Sequence, residues 1–284
     1  MSKKEKLEEE KLDSILTENR MFDPVKLNPD FAKTGMSMEE YEKEYKRSIE
    51  DLEGFWGEKA QSLDWFKPYD KVWEKTDLFP GKWFTGGKIN VCYNCIDRHI
   101  EAENGDRDAI IWEADEPGEV RKITYKELKK EVCKVANGMK KLGLKKGDRV
   151  TIWLPMIPEL AIIMLACARI GVIHSIVFGG FSKEAVKDRI EDSDSKLLFT
   201  SDETVRAGKF YPKMADVAEI IDDVPTIEKV IVVERTGHDV PHTDKDIWYR
   251  DFTEGMDEEC ECEEMDSEDT LFIILRPVRN RGSS

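Results

Sequence analysis

Residues 150–182 read VTIWLPMIPELAIIMLACARIGVIHSIVFGGFS. The opening apolar run Val150–Leu154 predicts a buried strand, and Pro158 suits the first turn of a helix because its missing N–H is not needed there. Residues 159–170 are apolar almost all round, which indicates a buried helix, and residues 172–178 predict a second strand. Together they predict a βαβ unit with a glycine turn at the carboxyl end of the sheet, where open α/β sheets bind ligands.

The same alternation continues downstream. We expect helices over residues 182–190 and 212–221, and strands over residues 196–200 and 229–233. Strands that alternate with helices predict a doubly wound, mostly parallel α/β sheet. Upstream, the short runs 110–112 and 121–124 flank a turn-forming Asp-Glu-Pro-Gly and predict a hairpin.

Composition excludes several classes of protein. The chain has 284 residues, 40% of them hydrophobic, which is enough for a sizeable core. No apolar run reaches the roughly 18 residues of a membrane span, and the Lys/Glu-rich start does not resemble a signal peptide, so we expect a cytoplasmic protein. A net charge of −16 argues against nucleic acid and anionic membranes as partners.

Residues 251–269 carry eleven carboxylates and no Lys or Arg. A solvated linker or mobile loop is the simpler interpretation. Binding of a hard cation is the alternative, because carboxylates favour such ions.

The six cysteines do not predict a metal site. Cys92 and Cys95, with His99 nearby, invite a zinc interpretation. However, a second Cys-x-x-Cys pair is missing from the sequence, and the spacing of Cys260 and Cys262 is unusual for structural zinc. Reduced thiols explain these residues more simply.

Three segments are candidates for anion binding. Residues 81–89 resemble a P-loop, but Gly87 and Ile89 stand where its Lys and hydroxyl are required. The glycine turn over residues 178–182 precedes a helix start, and residues 202–209 place two cations around a glycine. A plain βα turn and solvated loop charge remain the alternatives. His174 lies among apolar neighbours and predicts a hydrogen-bonded core imidazole rather than a catalytic one.

Six segments together carry a family resemblance, although each alone is weak: Asn90–His99, Ile111–Glu119, Leu154–Glu159, Ala166–Gly171, Val177–Ser182 and Val205–Lys209. In order and spacing they resemble the amino-terminal half of AMP-forming acetyl-CoA synthetases, which are adenylate-forming enzymes. The resemblance implies a charged extension (1–20), a mainly helical lead-in domain (21–83), the first, incomplete part of the AMP-binding domain (84–274) and an aberrant tail (275–284).

The resemblance also implies an activity. Members of the family ligate acetate to CoA with ATP and Mg²⁺ through acetyl-adenylate, releasing AMP and pyrophosphate. Phe178 and Gly180 match family positions close to CoA, and the segment 206–209 matches positions around its nucleotide phosphates. The CoA-binding residues expected from the resemblance are therefore Phe178, Gly180, Arg206, Ala207, Gly208 and Lys209. The family most often has Arg where Lys209 stands, and Lys lacks its planar fork. We assign no catalytic residue and no metal ligand.

The resemblance stops at the end of the chain. Residues 266–274 resemble the strand before the family's Ser/Thr/Gly-rich phosphate loop, but residues 275–284 read LRPVRNRGSS. A frameshift would explain this change. We then expect the main ATP and Mg²⁺ sites to be missing, the chain alone to be inactive, and uncovered sheet surface to favour association. A fragment that binds CoA or pairs with a partner is the alternative; a flavodoxin-like carrier rests on fold analogy alone.

Overall fold

The computed structural model describes residues 35–77, 80–115 and 118–274. The expected extension (1–20) and tail (275–284) lie outside these residues. The chain divides into two units between Lys59 and Ala60. The first contains helix α1 (Met38–Glu50), which starts with a capping box between Ser37 and Glu40, and most of helix α2 (Leu52–Ala60).

The second unit begins with short strands. Strand β1 (Lys71–Glu74) pairs antiparallel with β2 (Lys82–Thr85), and β3 (Lys88–Ile89) is followed by two π-helical turns, Tyr93–Asp97 and Ile100–Asn104. The helical lead-in is thus confirmed in α1 and α2, and the β1–β2 pair is an addition that its aromatic composition did not reveal.

The expected hairpin is present. Strand β4 (Asp108–Glu113) pairs antiparallel with β5 (Val120–Thr124). Thr124 then caps helix α3 (Tyr125–Lys141), because its hydroxyl accepts from the backbone N–H of Glu127 while the Glu127 carboxylate reaches back to the N–H of Thr124.

A six-stranded sheet, parallel throughout, forms the centre of the second unit, with strand order β12-β11-β8-β6-β7-β14. This confirms the parallel α/β prediction. Its strands are β6 (Arg149–Ile152), β7 (Ile173–Ile176), β8 (Leu197–Ser201), β11 (Lys229–Val233), β12 (Asp246–Trp248) and β14 (Phe272–Ile273). The remaining strands, β9 (Thr204–Arg206), β10 (Lys209–Tyr211) and β13 (Met265–Asp266), lie outside this sheet.

The helices between these strands are α4 (Pro158–Ile170), α5 (Lys183–Ser193), α6 (Lys213–Ile220) and α7 (Tyr249–Thr253), with a 3₁₀ turn at Ile221–Asp223. Helix α4 ends as expected at Gly171, whose φ of 70° is left-handed. Ser182 caps α5 through its hydroxyl.

Side chains alternate between the two faces along each strand, and both faces are buried because helices cover them. In β8, Leu197 and Phe199 join a core with α3 and α4, whereas Leu198 joins a second core with α5 and α6. In β11, Val230 and Ile231 alternate in the same way. Apolar runs in these strands are therefore the sequence signature of a sheet covered on both sides.

The acidic segment 251–269 is packed against α3 within the second unit, so the expectation of a solvated or mobile segment there is wrong. Phe252 and Cys260 are buried, and Asn137 of α3 donates to the carbonyls of Asp257 and Glu259 at 2.9 Å each. Lysines of α3 supply the cations that the segment lacks, in the ion pairs Lys129–Glu259 (3.0 Å), Lys130–Glu258 (2.9 Å) and Lys134–Glu258 (3.1 Å).

Arg169, in the last turn of α4, forms a buried bidentate ion pair with Asp97. Its two terminal nitrogens lie 2.8 and 3.1 Å from the carboxylate oxygens, and its Nε donates to the carbonyl of Cys260. Burial alone would lower the pKa of Arg169, but the hydrogen bonds to Asp97 raise it, so the guanidinium stays charged.

We expect Arg169→Met to lower the free energy of unfolding by about 3–5 kcal/mol, because the Asp97 carboxylate loses its bidentate partner inside the protein. Urea denaturation measures this change. Lys122→Met is the control, since Lys122 pairs with Asp108 at 2.8 Å on the exposed surface and its loss should cost under about 1 kcal/mol. Equal effects of the two substitutions would contradict the prediction.

His174 lies in β7 and is 3% exposed, as the sequence predicts for a core residue. The expected hydrogen bond is not found: the buried Nδ1 of His174 has no partner among the described residues. Burial lowers the pKa of His174 from 6.5 to about 4, which keeps the imidazole neutral.

The free energy of unfolding should therefore decrease as the pH is lowered below about 6.5. The unfolded chain binds a proton at His174 below pH 6.5, whereas the folded chain does so only near pH 4. Between these two pH values, proton binding therefore stabilises the unfolded state relative to the folded state. From pH 7 to pH 5 we expect this residue to account for a loss of about 2 kcal/mol in the free energy of unfolding. Urea denaturation of the original protein and of His174→Asn at pH 7 and pH 5 measures this contribution. An equal loss of stability in the two proteins between these pH values would refute the prediction.

Among the described residues β14 is an edge strand of the sheet; its Phe272 is 47% exposed, and Ile274 just after it is 72% exposed. Association through this edge stays a prediction. No helix among residues 35–274, apart from the undescribed positions, is long and apolar enough to cross a bilayer.

Candidate functional site

A cavity of about 680 Å³ lies at the carboxyl ends of β6, β7 and β8. This edge of the sheet is where the βαβ pattern placed a ligand site. The segment after each strand supplies one wall, and the β4–β5 hairpin and the segment after β11 supply the rest. The residues that line it include Trp112, Asp115, Met156, Phe178, Gly180, Phe181, Arg206, Lys213 and Arg235.

One wall is apolar and open to solvent. Phe178 is 62% exposed and stands edge-on to Phe181, with ring centroids 5.9 Å apart. Met156 is 80% exposed. Gly180 belongs to this wall because a Cβ there would lie 2.8 Å from the Phe178 ring. Exposed apolar side chains gathered in a concave surface are typical of ligand sites.

The strands β9 and β10 form a tight hairpin beside this wall. Ala207 and Gly208 occupy its turn with φ values of 49° and 70°, as in the type I′ turns that join twisted strands. The left-handed conformation costs Ala207 about 1–2 kcal/mol, and its N–H donates to Asp115 Oδ2 at 3.0 Å.

The hairpin register places Arg206 and Lys209 directly opposite each other. Both are exposed, and neither pairs with a carboxylate among the described residues. Like charges at opposed positions destabilise a hairpin, so an anion between them would be favourable. Of the six expected residues, Phe178, Gly180 and Arg206 line the cavity, whereas Ala207, Gly208 and Lys209 lie in the adjoining turn and strand.

Two further cations, not expected from the sequence, line the cavity. Lys213 is 5% exposed, its Nζ lies 3.8 Å from the centroid of the Trp153 ring, and burial lowers its pKa. Arg235 lies over the Trp112 ring at 5.3 Å and is held by Glu119 in a bidentate pair. The position of Arg235 just after β11 was a signal that could have revealed it.

Asp202, fully buried at the end of β8, holds this region together. Its carboxylate accepts from the N–H groups of Arg235, Thr236 and Gly237 at 2.8–2.9 Å. The carboxylate therefore positions the segment after β11, including Arg235, beside the cavity.

The residues considered for zinc are separated by the fold. Cys92 is buried and Cys95 is exposed, while the His99 ring lies 5.0 Å from the Tyr125 ring. Cys92 instead approaches Cys262 and Asp97: one ligand atom of each lies within 4.8 Å of the others. Spacing in the sequence could not reveal this cluster, because its members come from distant segments.

Comparison with known families gives two matches. The family described as AMP-binding enzyme matches residues 97–275, and the acetyl-coenzyme A synthetase N-terminus matches residues 41–95.

Curated relatives carry matching names. An acetyl-coenzyme A synthetase of Alkalilimnicola ehrlichii is 49% identical over 252 residues, which cover 87% of this chain and 39% of the relative. One from Rubrobacter xylanophilus is 51% identical and covers 81% of this chain and 36% of the relative. The chain spans little more than a third of the length of these relatives.

A solved structure, the acetoacetyl-CoA synthetase from Streptomyces lividans, matches with a TM-score of 0.73 and 26% identity, covering 80% of this chain and 34% of that one. The fold expected of an adenylate-forming enzyme is thus confirmed. Since the family match extends over more than half of its residues, the chain belongs to the AMP-binding enzyme family, and it resembles the amino-terminal part of acetyl-CoA synthetases.

Proposed function

We propose that this chain is part of an acetate–CoA ligase and that its cavity binds CoA. In the reaction, an acetate oxygen attacks the α-phosphorus of ATP, which forms acetyl-adenylate and releases pyrophosphate. The CoA thiol then attacks the acetyl carbonyl, which forms acetyl-CoA, and AMP leaves. The names of the relatives and the two family matches support this activity.

The observation that carries the CoA assignment is the pairing of an exposed aromatic wall with unpaired cations. CoA has the same two-part chemistry: an adenosine ring system and a pantetheine arm, which can pack on Phe178 and Phe181, and phosphates, which Arg206 and Lys209 can neutralise. Gly180 keeps the wall free of a side chain beside the Phe178 ring. Ala207 and Gly208 hold the two cations in register.

The three-ligand cluster found among the described residues does not suit Mg²⁺. The cluster of potential ligands found among them, Cys92, Asp97 and Cys262, contains two sulfurs, whereas Mg²⁺ requires oxygen ligands. The role proposed for the cavity residues is therefore the binding of CoA, without a metal.

We expect CoA to bind the chain and Arg206→Ala/Lys209→Ala to weaken that binding at least tenfold, because each lost phosphate contact to a charged group is worth about 1.5–3 kcal/mol. Isothermal titration calorimetry measures the affinity for CoA of the original chain and of the variant. Lys82→Ala/Lys141→Ala removes two exposed cations elsewhere and therefore has the same net charge as Arg206→Ala/Lys209→Ala. It controls for non-specific attraction between CoA and the protein's overall charge. Equal affinities for the two double variants would remove the site assignment.

We also propose that the 284-residue chain does not complete the reaction by itself. Residues 275–284 read LRPVRNRGSS, where the family resemblance calls for a Ser/Thr/Gly-rich loop that binds phosphates. Such loops stabilise charge on ATP through backbone donors, and their loss removes that stabilisation.

The pure chain should therefore release no pyrophosphate from ATP in the presence of acetate and CoA, even at CoA concentrations that saturate it in calorimetry. A coupled pyrophosphate assay measures this. A full-length relative, such as the synthetase of Alkalilimnicola ehrlichii, is the positive control. Turnover by the pure chain would refute this part of the proposal.

A further inference from the structure

A cysteine of the acidic segment meets a cysteine from a distant part of the sequence. Cys92 lies at the start of the helical turns after β3, and Cys262 lies between α7 and β13. Their sulfurs lie within 4.8 Å of each other, and Cys262 Sγ is 4.0 Å from Asp97 Oδ2. Neither cysteine belongs to the cavity proposed for CoA.

The two thiols differ in access. Cys92 is completely buried, whereas Cys262 is half-buried and lines a separate cavity of about 540 Å³ together with Lys129 and Arg169. The neighbouring Cys92 thiol and the nearby cations Arg169 and Lys129 lower the pKa of Cys262 against the opposing effects of burial and of the Asp97 carboxylate. Cys262 and burial raise the pKa of Cys92. Cys262 is thus the reactive member and Cys92 its buried neighbour.

A metal ion fits this cluster poorly. Arg169 donates to both oxygens of Asp97 and its Nη1 lies 3.5 Å from Cys92 Sγ. A cation held by the three ligand atoms would therefore lie close to a buried guanidinium, and Asp97 would have to give up its ion pair. The arrangement favours thiol chemistry instead.

We propose that Cys92 and Cys262 are an oxidisable dithiol that hydrogen peroxide converts into a disulfide. The Cys262 thiolate attacks one peroxide oxygen, the O–O bond breaks, and hydroxide leaves and takes up a proton to become water. The resulting sulfenic acid is then attacked by the Cys92 sulfur, which loses its proton. The S–O bond breaks, a second water leaves, and two electrons have passed from the sulfurs to the peroxide.

The disulfide would tie the acidic segment to the turns that follow β3. The sulfurs must close from within 4.8 Å to about 2.0 Å, which asks for a small movement of the segment around Cys262. Because the bond would connect residues far apart in the chain, it would restrict the unfolded state strongly. Oxidation should therefore stabilise the fold.

The experiment uses the full chain, reduced, freed of reductant and treated with hydrogen peroxide. Remaining thiols are alkylated, the protein is digested without reduction, and cross-linked peptides are identified by mass spectrometry. We expect a Cys92–Cys262 peptide pair and a rise in Tm of about 5–10 °C that dithiothreitol reverses.

Variants separate this pair from the other thiols. Cys262→Ser and Cys92→Ser should abolish both the cross-link and the rise in Tm, and Cys262→Ser keeps the test valid if substitution of buried Cys92 prevents folding. Cys260→Ser is the matched control, because Cys260 lies in the same segment but its sulfur contacts Lys140 Nζ at 3.3 Å. Cys95→Ser controls for the exposed thiol.

Three outcomes would overturn the proposal. One is a cross-link that joins Cys260 in place of Cys262, and another is oxidation confined to Cys95. The third is stoichiometric retention of Zn²⁺ after incubation and dialysis, lost in Cys262→Ser, which would make the cluster a metal site. Each of these results leaves the CoA proposal unaffected, because that cavity shares no residue with the dithiol.

Discussion

The guanidinium of Arg169 connects three parts of the second unit. It is carried by α4, pairs with Asp97 in the turns after β3, and donates to the carbonyl of Cys260 in the acidic segment. Asn90 reinforces the same junction, since its amide donates to the carbonyls of Ala168, Arg169 and Glu263 at 2.9–3.2 Å. A buried cation tolerates few arrangements, so this junction fixes how the sheet and the segments around it meet.

The alternation of apolar residues made the sheet predictable. Strand β11 coincides with the predicted residues 229–233, and α4 begins at the expected proline, because local rules of periodicity and capping decide both. The acidic segment was not predictable in the same way. Its own composition indicates a solvated chain, and only the lysines that α3 places beside it, together with the buried Phe252 and Cys260, explain why it packs.

The candidate site likewise contains residues that the sequence could reveal and residues that it could not. Phe178, Gly180 and Arg206 follow strand ends and could be found from sequence, because the carboxyl edge of a parallel sheet gathers such segments. Lys213 could not, since its place depends on Trp153, which approaches only in the folded chain. Arg235 also follows a strand end, that of β11, so its place could have been found, but its pairing with Glu119 forms only in the folded chain. The neighbouring thiols of Cys92 and Cys262 were missed for the same reason.

The β9–β10 hairpin has two unfavourable features that have no structural purpose by themselves. Ala207 occupies a left-handed conformation that a glycine would adopt without strain, and Arg206 and Lys209 face each other without a described carboxylate between them. Strain and unpaired like charges persist where the surrounding fold enforces them, and they cluster at functional sites. An anionic ligand would offset the repulsion directly, whereas in its absence the chain would be more stable with either cation removed. The hairpin thus supports an anion-binding role on energetic grounds that do not depend on the family resemblance.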